Sequence, residues 1–249
     1  MTPSSTPVVL ITGAARRIGA GIARHLHARG LNLMLHYRQS AAEASMLADD
    51  LNRLRPGSAA THQADLLDCG HLPALVDATL EQFGRLDYLV NNASSFFPTP
   101  VGRIDEASWT DLIGSNLKAP LWLAQAAAPH LQQANGAIVG IVDIHIDRPM
   151  PDHAVYSAAK AGHAAILRTL ARDLAPQVRV NGVAPGANLW PENGSLFDTS
   201  SRQAIEASIP LGRIGTPDDI AVAVGFLLLD AHYITGHVLP VDGGRSIVL

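Results

Sequence analysis

Val8-Val9-Leu10-Ile11-Thr12-Gly13-Ala14-Ala15-Arg16-Arg17-Ile18-Gly19 runs from a buried strand through a glycine-marked turn into a helix. Glycine lets the chain turn tightly there, and lets backbone N–H groups approach a pyrophosphate at the helix N-terminus. The middle glycine of the usual triple is replaced by Arg17, leaving a two-glycine turn. Such a turn alone would describe any strand–helix loop; its position at the first βα junction gives it weight. Outward from it, short β-rich runs alternate with helical stretches. Val8–Thr12, Leu31–His36, Ala59–Ala64, Leu86–Asn91, Ala137–Asp143, Val178–Val183 and Val238–Val241 read as buried strands. Helical patterns cover Ile18–Arg29, Ala41–Leu54, Leu72–Phe83, Ser108–Gln133 and Ala154–Leu174. A last helix starts near Thr216-Pro217-Asp218-Asp219, which offers an N-cap, a first-turn proline and acids at the positive end. The alternation predicts an α/β fold: a single-domain, doubly wound parallel sheet, Rossmann-like, of about seven strands with helices on both faces.

Composition bounds the function. The 249 residues suit one large α/β domain, 1–249, with 1–6 as a flexible N-terminus. Apolar content of 47% excludes a disordered chain, and a net charge of −4 without charge runs points to neither nucleic acid nor a membrane surface. A single cysteine, Cys69, excludes an internal disulfide framework and fits a reducing cytosol. Met1–Pro7 lacks the basic start and apolar stretch of a signal peptide, so a cytoplasmic location is expected. The eleven histidines show no paired ligand spacing, and no metal site is expected.

The end of the second strand separates NAD from NADP. An acid there would bond the ribose 2′-OH and repel a 2′-phosphate. The chain instead reads His36-Tyr37-Arg38-Gln39-Ser40, in which Arg38 and Ser40, with Arg16, offer charge and donors to a phosphate. NADPH is the expected cofactor. Gly13, Arg17 and Ile18 belong to the same site through the first turn. Asp65 and Leu66 after the third strand, and Asn92, Ala93 and Ser94 after the fourth, lie at the carboxyl edge where nucleotides bind.

Tyr156-Ser157-Ala158-Ala159-Lys160 places a phenol and one of only two lysines four apart, on one helix face. Lys160 can hold the nicotinamide ribose and lower the phenol's pKa; a negative Asp143, thirteen residues before Tyr156, would push the other way. A protonated phenol suits a reductase that donates a proton.

With Asn91-Asn92-Ala93, Asn116, Asn181-Gly182-Val183-Ala184-Pro185-Gly186 and Asp242-Gly243-Gly244 added in order, the chain resembles the short-chain dehydrogenase/reductases over nearly its whole length. Within them it is most similar to the pteridine reductases. It shares Thr-Gly-Ala-Ala-basic-Arg ending at Arg17, His-Tyr-x-x-Ser from His36 to Ser40, Asn-Ala-Ser-Ser-Phe from Asn92 to Phe96, Pro98-Thr99-Pro100, Tyr233-Ile-Thr-Gly236, and Asp143 where the wider family carries serine. The resemblance implies NADPH-dependent reduction of dihydropterins, of the dihydrobiopterin or dihydromonapterin type, with dihydrofolate as a further candidate substrate. It implies Asn116, Tyr156, Lys160 and Asp143 as catalytic residues, with Asn116 holding Lys160 through water, Pro185 and Gly186 at the cofactor, and a homotetramer. Parasite members carry a C-terminal arginine that reaches a neighbouring site; this chain reads Arg245-Ser246-Ile247-Val248-Leu249, and a contribution from a neighbouring subunit stays open.

The substrate side follows from chemistry. Asp143 can accept hydrogen bonds from an aminopyrimidinone ring. Phe96 can stack on the pterin opposite the nicotinamide, with Ser94 bonding nearby. Arg17 can contact both a phosphate and a ring heteroatom. Residues 187–201, without helical or strand period and with Leu189 and Trp190, read as a flap over the mouth. The alternatives are a 3-oxoacyl-thioester (carbonyl) reductase of the same family, which would want Ser at 143 and Gly at 17, and a non-catalytic NADP(H)-binding protein.

Overall fold

The structure is a computed structural model describing residues 6–190 and 198–248. Seven strands alternate with helices in chain order. The first half comprises β1 (Val8–Ile11), α1 (Arg17–Ala28), β2 (Asn32–Tyr37), α2 (Ala41–Leu54), β3 (Ala59–Gln63), α3 (Leu72–Phe83) and β4 (Tyr88–Asn91). The second comprises α4 (Glu106–Ile113), α5 (Ala119–Ala134), β5 (Ala137–Ile141), α6 (Ala154–Asp173), β6 (Arg179–Pro185), α7 (Thr199–Ala207), α8 (Pro217–Gly225) and β7 (Val238–Val241). All neighbouring strands are parallel, in the order β3-β2-β1-β4-β5-β6-β7. The doubly wound sheet is as the alternation implies.

Strand periodicity splits the core. Val8, Leu10, Leu89, Ile138 and Val180 pack under α3, α5 and α6, while Val9, Ile11, Val90, Val139 and Val183 pack under α1, α2 and α8. Strand order reverses between β1 and β4, so a crevice opens beyond their carboxyl ends. There Gly13 takes φ +61, and a Cβ on it would stand 2.9 Å from the Ala93 Cα; one on Gly19 would strike the Gly13 carbonyl. The two glycines are what the close loop approach requires.

Two elements differ from the sequence reading. The long helix expected over Ser108–Gln133 starts earlier, at Glu106, where Asp105 and Ser108 form a capping box. It is also broken by a π turn at Gly114–Lys118 before α5. Within the expected irregular flap, α7 begins at Thr199, capped by Asp198. Its nine residues bury no side chain, so no apolar stripe marks it in the sequence. Residues 191–197 of the flap and 1–5 of the expected flexible N-terminus lie outside the described residues. Among the described residues no helix is long and apolar enough to cross a membrane.

Candidate active site

The cofactor residues expected from the sequence gather at the crevice. Gly13, Arg16, Arg17 and Ile18, then His36, Tyr37, Arg38 and Ser40, Asp65 and Leu66, and Asn92, Ala93 and Ser94 line one cleft of about 390 Å³. Its floor is a hydrogen-bonded frame. Thr12 Oγ1 accepts from the Asn92 and Ala93 N–H groups (2.9 and 3.0 Å), and Asn92 Nδ2 donates to the Thr12 and Gly13 carbonyls (both 2.9 Å). His36 Nδ1 accepts from Gly13 N (3.1 Å), and its Nε2 lies 3.1 Å from the Ala64 carbonyl. Burial lowers the His36 pKa to about 4, so the ring is neutral and bonds as acceptor at Nδ1 and donor at Nε2. His36 and Asn92 both line the cleft and also hold its first turn in shape. The His36 ring and the Asn92 amide brace the turn from behind; their bonding atoms are engaged with protein.

The first turn fits an anion. α1 has no acid in its first turn and no side-chain cap at Arg16, so its N-terminal N–H groups face the cleft without an acidic partner from the helix itself. The end of β2 carries no acid, yet carboxylates arrive from elsewhere. Asp65 Oδ2 lies 3.1 Å from Arg38, and Glu43 lies 3.7 Å from Arg16. All four side chains are about half exposed, so these pairs contribute about 0–1 kcal/mol and yield readily to a phosphate.

Arg17 sits where the usual triple has glycine and takes that glycine's left-handed backbone, φ +53. Its guanidinium crosses to the loop after β6, donating to the Leu189 carbonyl (3.1 Å) and the Trp190 carbonyl (3.3 Å). The Trp190 ring in turn lies under Arg202 of α7, 5.4 Å from ring centre to guanidinium carbon. Arg17, Leu189 and Trp190 are thus joined as one cluster.

The reacting groups lie at the carboxyl ends of β5 and β6. Tyr156 and Lys160 are on one buried face of α6. Asp143 follows β5 and uses its two oxygens differently: Oδ1 caps the next turn by accepting from His145 N (2.9 Å), and Oδ2 accepts from the Tyr156 hydroxyl (2.7 Å). Burial, then the Asp143 charge and that bond, raise the Tyr156 pKa well above the ordinary tyrosine value. Lys160 Nζ lies 5.8 Å from the phenol ring centre and donates to the Ile141 carbonyl (2.8 Å). Burial draws its pKa down to about 8, against the pull of Asp143. Of the two opposing influences expected on the phenol, the Asp143 charge, added to desolvation, sets the direction, and the phenol stays protonated. Pro185 ends β6 two residues past Val183, the register partner of Ile141, and so stands level with Asp143; Gly186 follows it and donates to the Val241 carbonyl (3.1 Å).

Asn116 lies in the π turn, fully buried. Its Oδ1 accepts from the Ser94 hydroxyl (2.6 Å), and its Nδ2 donates to the Ser95 and Leu112 carbonyls (3.0 Å each). It holds the loop after β4, and among the described contacts none joins it directly to Lys160. That loop presents Phe96, which meets Tyr156 edge-on (4.9 Å, 79°) and stacks on His153 (4.8 Å, 17°).

His153 and Arg245 were missed by sequence reasoning. His153 lies one helical turn before Tyr156, a spacing that could have flagged it. Burial draws down the pKa of Arg245, partly buried in the turn after β7, against the opposing charges of Asp143 and Asp242. No local sequence signal links it to Asp143; only the fold does. The whole arrangement can hold a proton on a phenol, present a carboxylate beside it, and flank a planar ring with aromatic surface.

A family model described as enoyl-(acyl carrier protein) reductase matches residues 13–246. The chain is 39% identical to pteridine reductase 1 of Leishmania tarentolae over 99% of both chains. It is 35% identical to 3β-hydroxysteroid dehydrogenase 1 of Eggerthella lenta over 96% of this chain and 93% of that one. It is 36% identical to a 3-oxoacyl-(acyl carrier protein) reductase of Staphylococcus aureus over 96% and 98%.

Proposed function

The chain belongs to the short-chain dehydrogenase/reductase family of oxidoreductases, and from that premise we propose that it is an NADPH-dependent pteridine reductase. Its substrates would be dihydropterins of the dihydrobiopterin or dihydromonapterin type, reduced to the tetrahydro form, with dihydrofolate as a further candidate. The observation that carries this reading is the 2.7 Å bond between Tyr156 and Asp143. The hydroxyl of Tyr156 is its proton donor, and burial, then the Asp143 charge, holds its pKa well above the ordinary tyrosine value. The same carboxylate can accept from the N–H groups of a pterin's aminopyrimidinone ring, donors that a ketone or thioester lacks. The similarity to the Leishmania enzyme supports the same assignment.

NADPH, when bound, supplies the hydride. The residues that would hold it are the backbone of Gly13 to Ile18 at the N-terminus of α1, Arg16, Arg38 and Ser40 at the 2′-phosphate, and Asn92 to Ser94 in the same cleft, with Pro185 and Gly186 at the end of β6 toward the nicotinamide, as the family resemblance implies. Lys160, fixed on the Ile141 carbonyl, adds positive charge beside the phenol and donors toward the ribose. Asn116 positions Ser94 and Phe96. Phe96 shields one side of a flat heteroaromatic ring, and Leu189 and Trp190 lie at the mouth.

The 36% identity to a 3-oxoacyl reductase sets the competing reading, carbonyl reduction. NADPH oxidation with 7,8-dihydrobiopterin, run beside acetoacetyl-thioester, decides between them. Fast pterin turnover with an idle thioester is the expected result. The reverse would make Asp143 a variation within a carbonyl reductase, and NADPH binding without turnover of either would favour a non-catalytic role. NADH matching NADPH in kcat/KM would remove the cofactor assignment.

A further inference from the structure

Arg17 joins two parts of the molecule that sequence places far apart. It lines the dinucleotide cleft, and its guanidinium donates to the carbonyls of Leu189 and Trp190. The chain just before these residues is firmly held. The Ala187 carbonyl accepts from Gly215 N (2.8 Å), and buried Asn188 donates to the Gly186 carbonyl (3.2 Å). Leu189, by contrast, is 37% exposed, and beyond the pinned residues the backbone carbonyls at 189 and 190 are tied to the cleft by Arg17.

At a phosphate a guanidinium meets full negative charge and a geometry that its fork matches with two parallel bonds, whereas neutral carbonyls offer it only dipoles. A pyrophosphate entering the cleft therefore competes for Arg17 with an advantage. We propose that Arg17 is a two-position latch, holding Leu189 and Trp190 in the free protein and passing to the cofactor phosphate when the dinucleotide binds. Cofactor occupancy then sets the position of the substrate-side wall. The proposal rests on the NADP(H) reading of the cleft, and it goes further by coupling that site to the pterin mouth.

Trp190 is a built-in reporter, because the other tryptophans are only Trp109 and Trp122. In a Trp109→Phe/Trp122→Phe background, NADP+ is titrated while Trp190 emission and the heat of binding are followed in parallel. Emission is expected to move to the red as Arg17 leaves the Trp190 carbonyl, saturating with the calorimetric Kd. In Arg17→Lys, which keeps the charge but lacks the fork for two carbonyls, emission starts at the released position. NADP+ then binds with heat but without a further shift. Arg17→Asn, which tolerates the left-handed backbone, gives the same emission result should the lysine variant fold poorly. Arg202→Gln changes the starting emission and keeps the NADP+ response.

Heat of binding with unmoved Trp190 emission in the parent would overturn the latch while leaving the cofactor reading intact. A full shift retained in both Arg17 variants would also overturn it. Absence of any heat would remove the cofactor reading, and the latch with it.

Discussion

The Tyr156 hydroxyl is held between a buried helix face and a carboxylate, and this sets its pH behaviour. Its pKa lies well above the ordinary value, so the phenol itself does not titrate in the neutral range. Lys160 does, because burial brings it down to about 8. As pH rises through about 8, Lys160 loses the charge beside the phenol, and kcat/KM for dihydropterin reduction is expected to fall on an alkaline limb with that midpoint. A pH–rate profile flat to pH 10 would remove the role given to Lys160. Asp143→Ser takes away both the acceptor for the phenol and the acceptor for pterin N–H groups. Loss of one charge-assisted hydrogen bond, about 1.5–3 kcal/mol, should lower pterin kcat/KM by about 10- to 100-fold while leaving the NADP+ Kd nearly unchanged. Steady-state kinetics with calorimetry reads both; an unchanged kcat/KM would end the substrate role of that carboxylate. At this scale the sequence was informative where chemistry depends on local spacing, as with Tyr156 and Lys160 one turn apart. It was silent where the contact is made by the fold. Nothing local says that Arg17 meets Leu189 and Trp190, 172 and 173 residues away, or that Arg245 shares the field of Asp143.

Helix α6 carries more than the reacting pair. His163, one turn beyond Lys160, is fully buried against β5, and a Cβ on Gly140 would stand 2.8 Å from its Nε2. Among the described residues neither ring nitrogen has a hydrogen-bond partner, and burial followed by the Lys160 charge lowers its pKa to about 3. The sign of the linkage is clear. An unfolded His163 takes up its proton near 6.5, the folded one only near 3, so acid favours unfolding between those values and has no effect through this group above them. Each unit of separation corresponds to about 1.4 kcal/mol in the acid limit. His163→Leu should therefore flatten the loss of stability between pH 6.5 and 4, with His36 still contributing as pH falls toward about 4. Urea midpoints across that range test it; parallel pH curves for parent and variant would show that His163 is not the titrating group. Long, periodic elements such as α6 were legible in sequence because a buried stripe marks them. The π turn around Asn116 was not, since a one-residue widening leaves the apolar pattern on both sides intact. α7 was hidden for the opposite reason, burying nothing that would leave a stripe.

For the whole molecule, alternation of buried strands and helices predicts the parallel sheet, because only crossover helices can cover both faces. What surrounds the sheet raises a question of assembly. On the side of α3, α5 and α6, Trp109 of α4 and Trp122 of α5 stand exposed; on the other side, so do Val222 of α8 and Phe226 just after it. Large apolar groups at two separate surfaces suit two different two-fold contacts, and two such axes generate a dihedral tetramer. The homotetramer implied by the family resemblance is kept as a proposal on that ground. Light scattering should then give four times the 26.3 kDa chain mass. Trp122→Glu is expected to break one contact and leave dimers, Phe226→Glu to break the other and leave dimers of the second kind, and the double variant to yield monomers. A parent protein that runs as a 26.3 kDa monomer at micromolar concentration would end the tetramer reading. Single variants that remain tetrameric would move the contacts to other surfaces. Because both proposed contacts would use helices rather than the cleft, separated dimers should still bind NADP+ with an unchanged Kd.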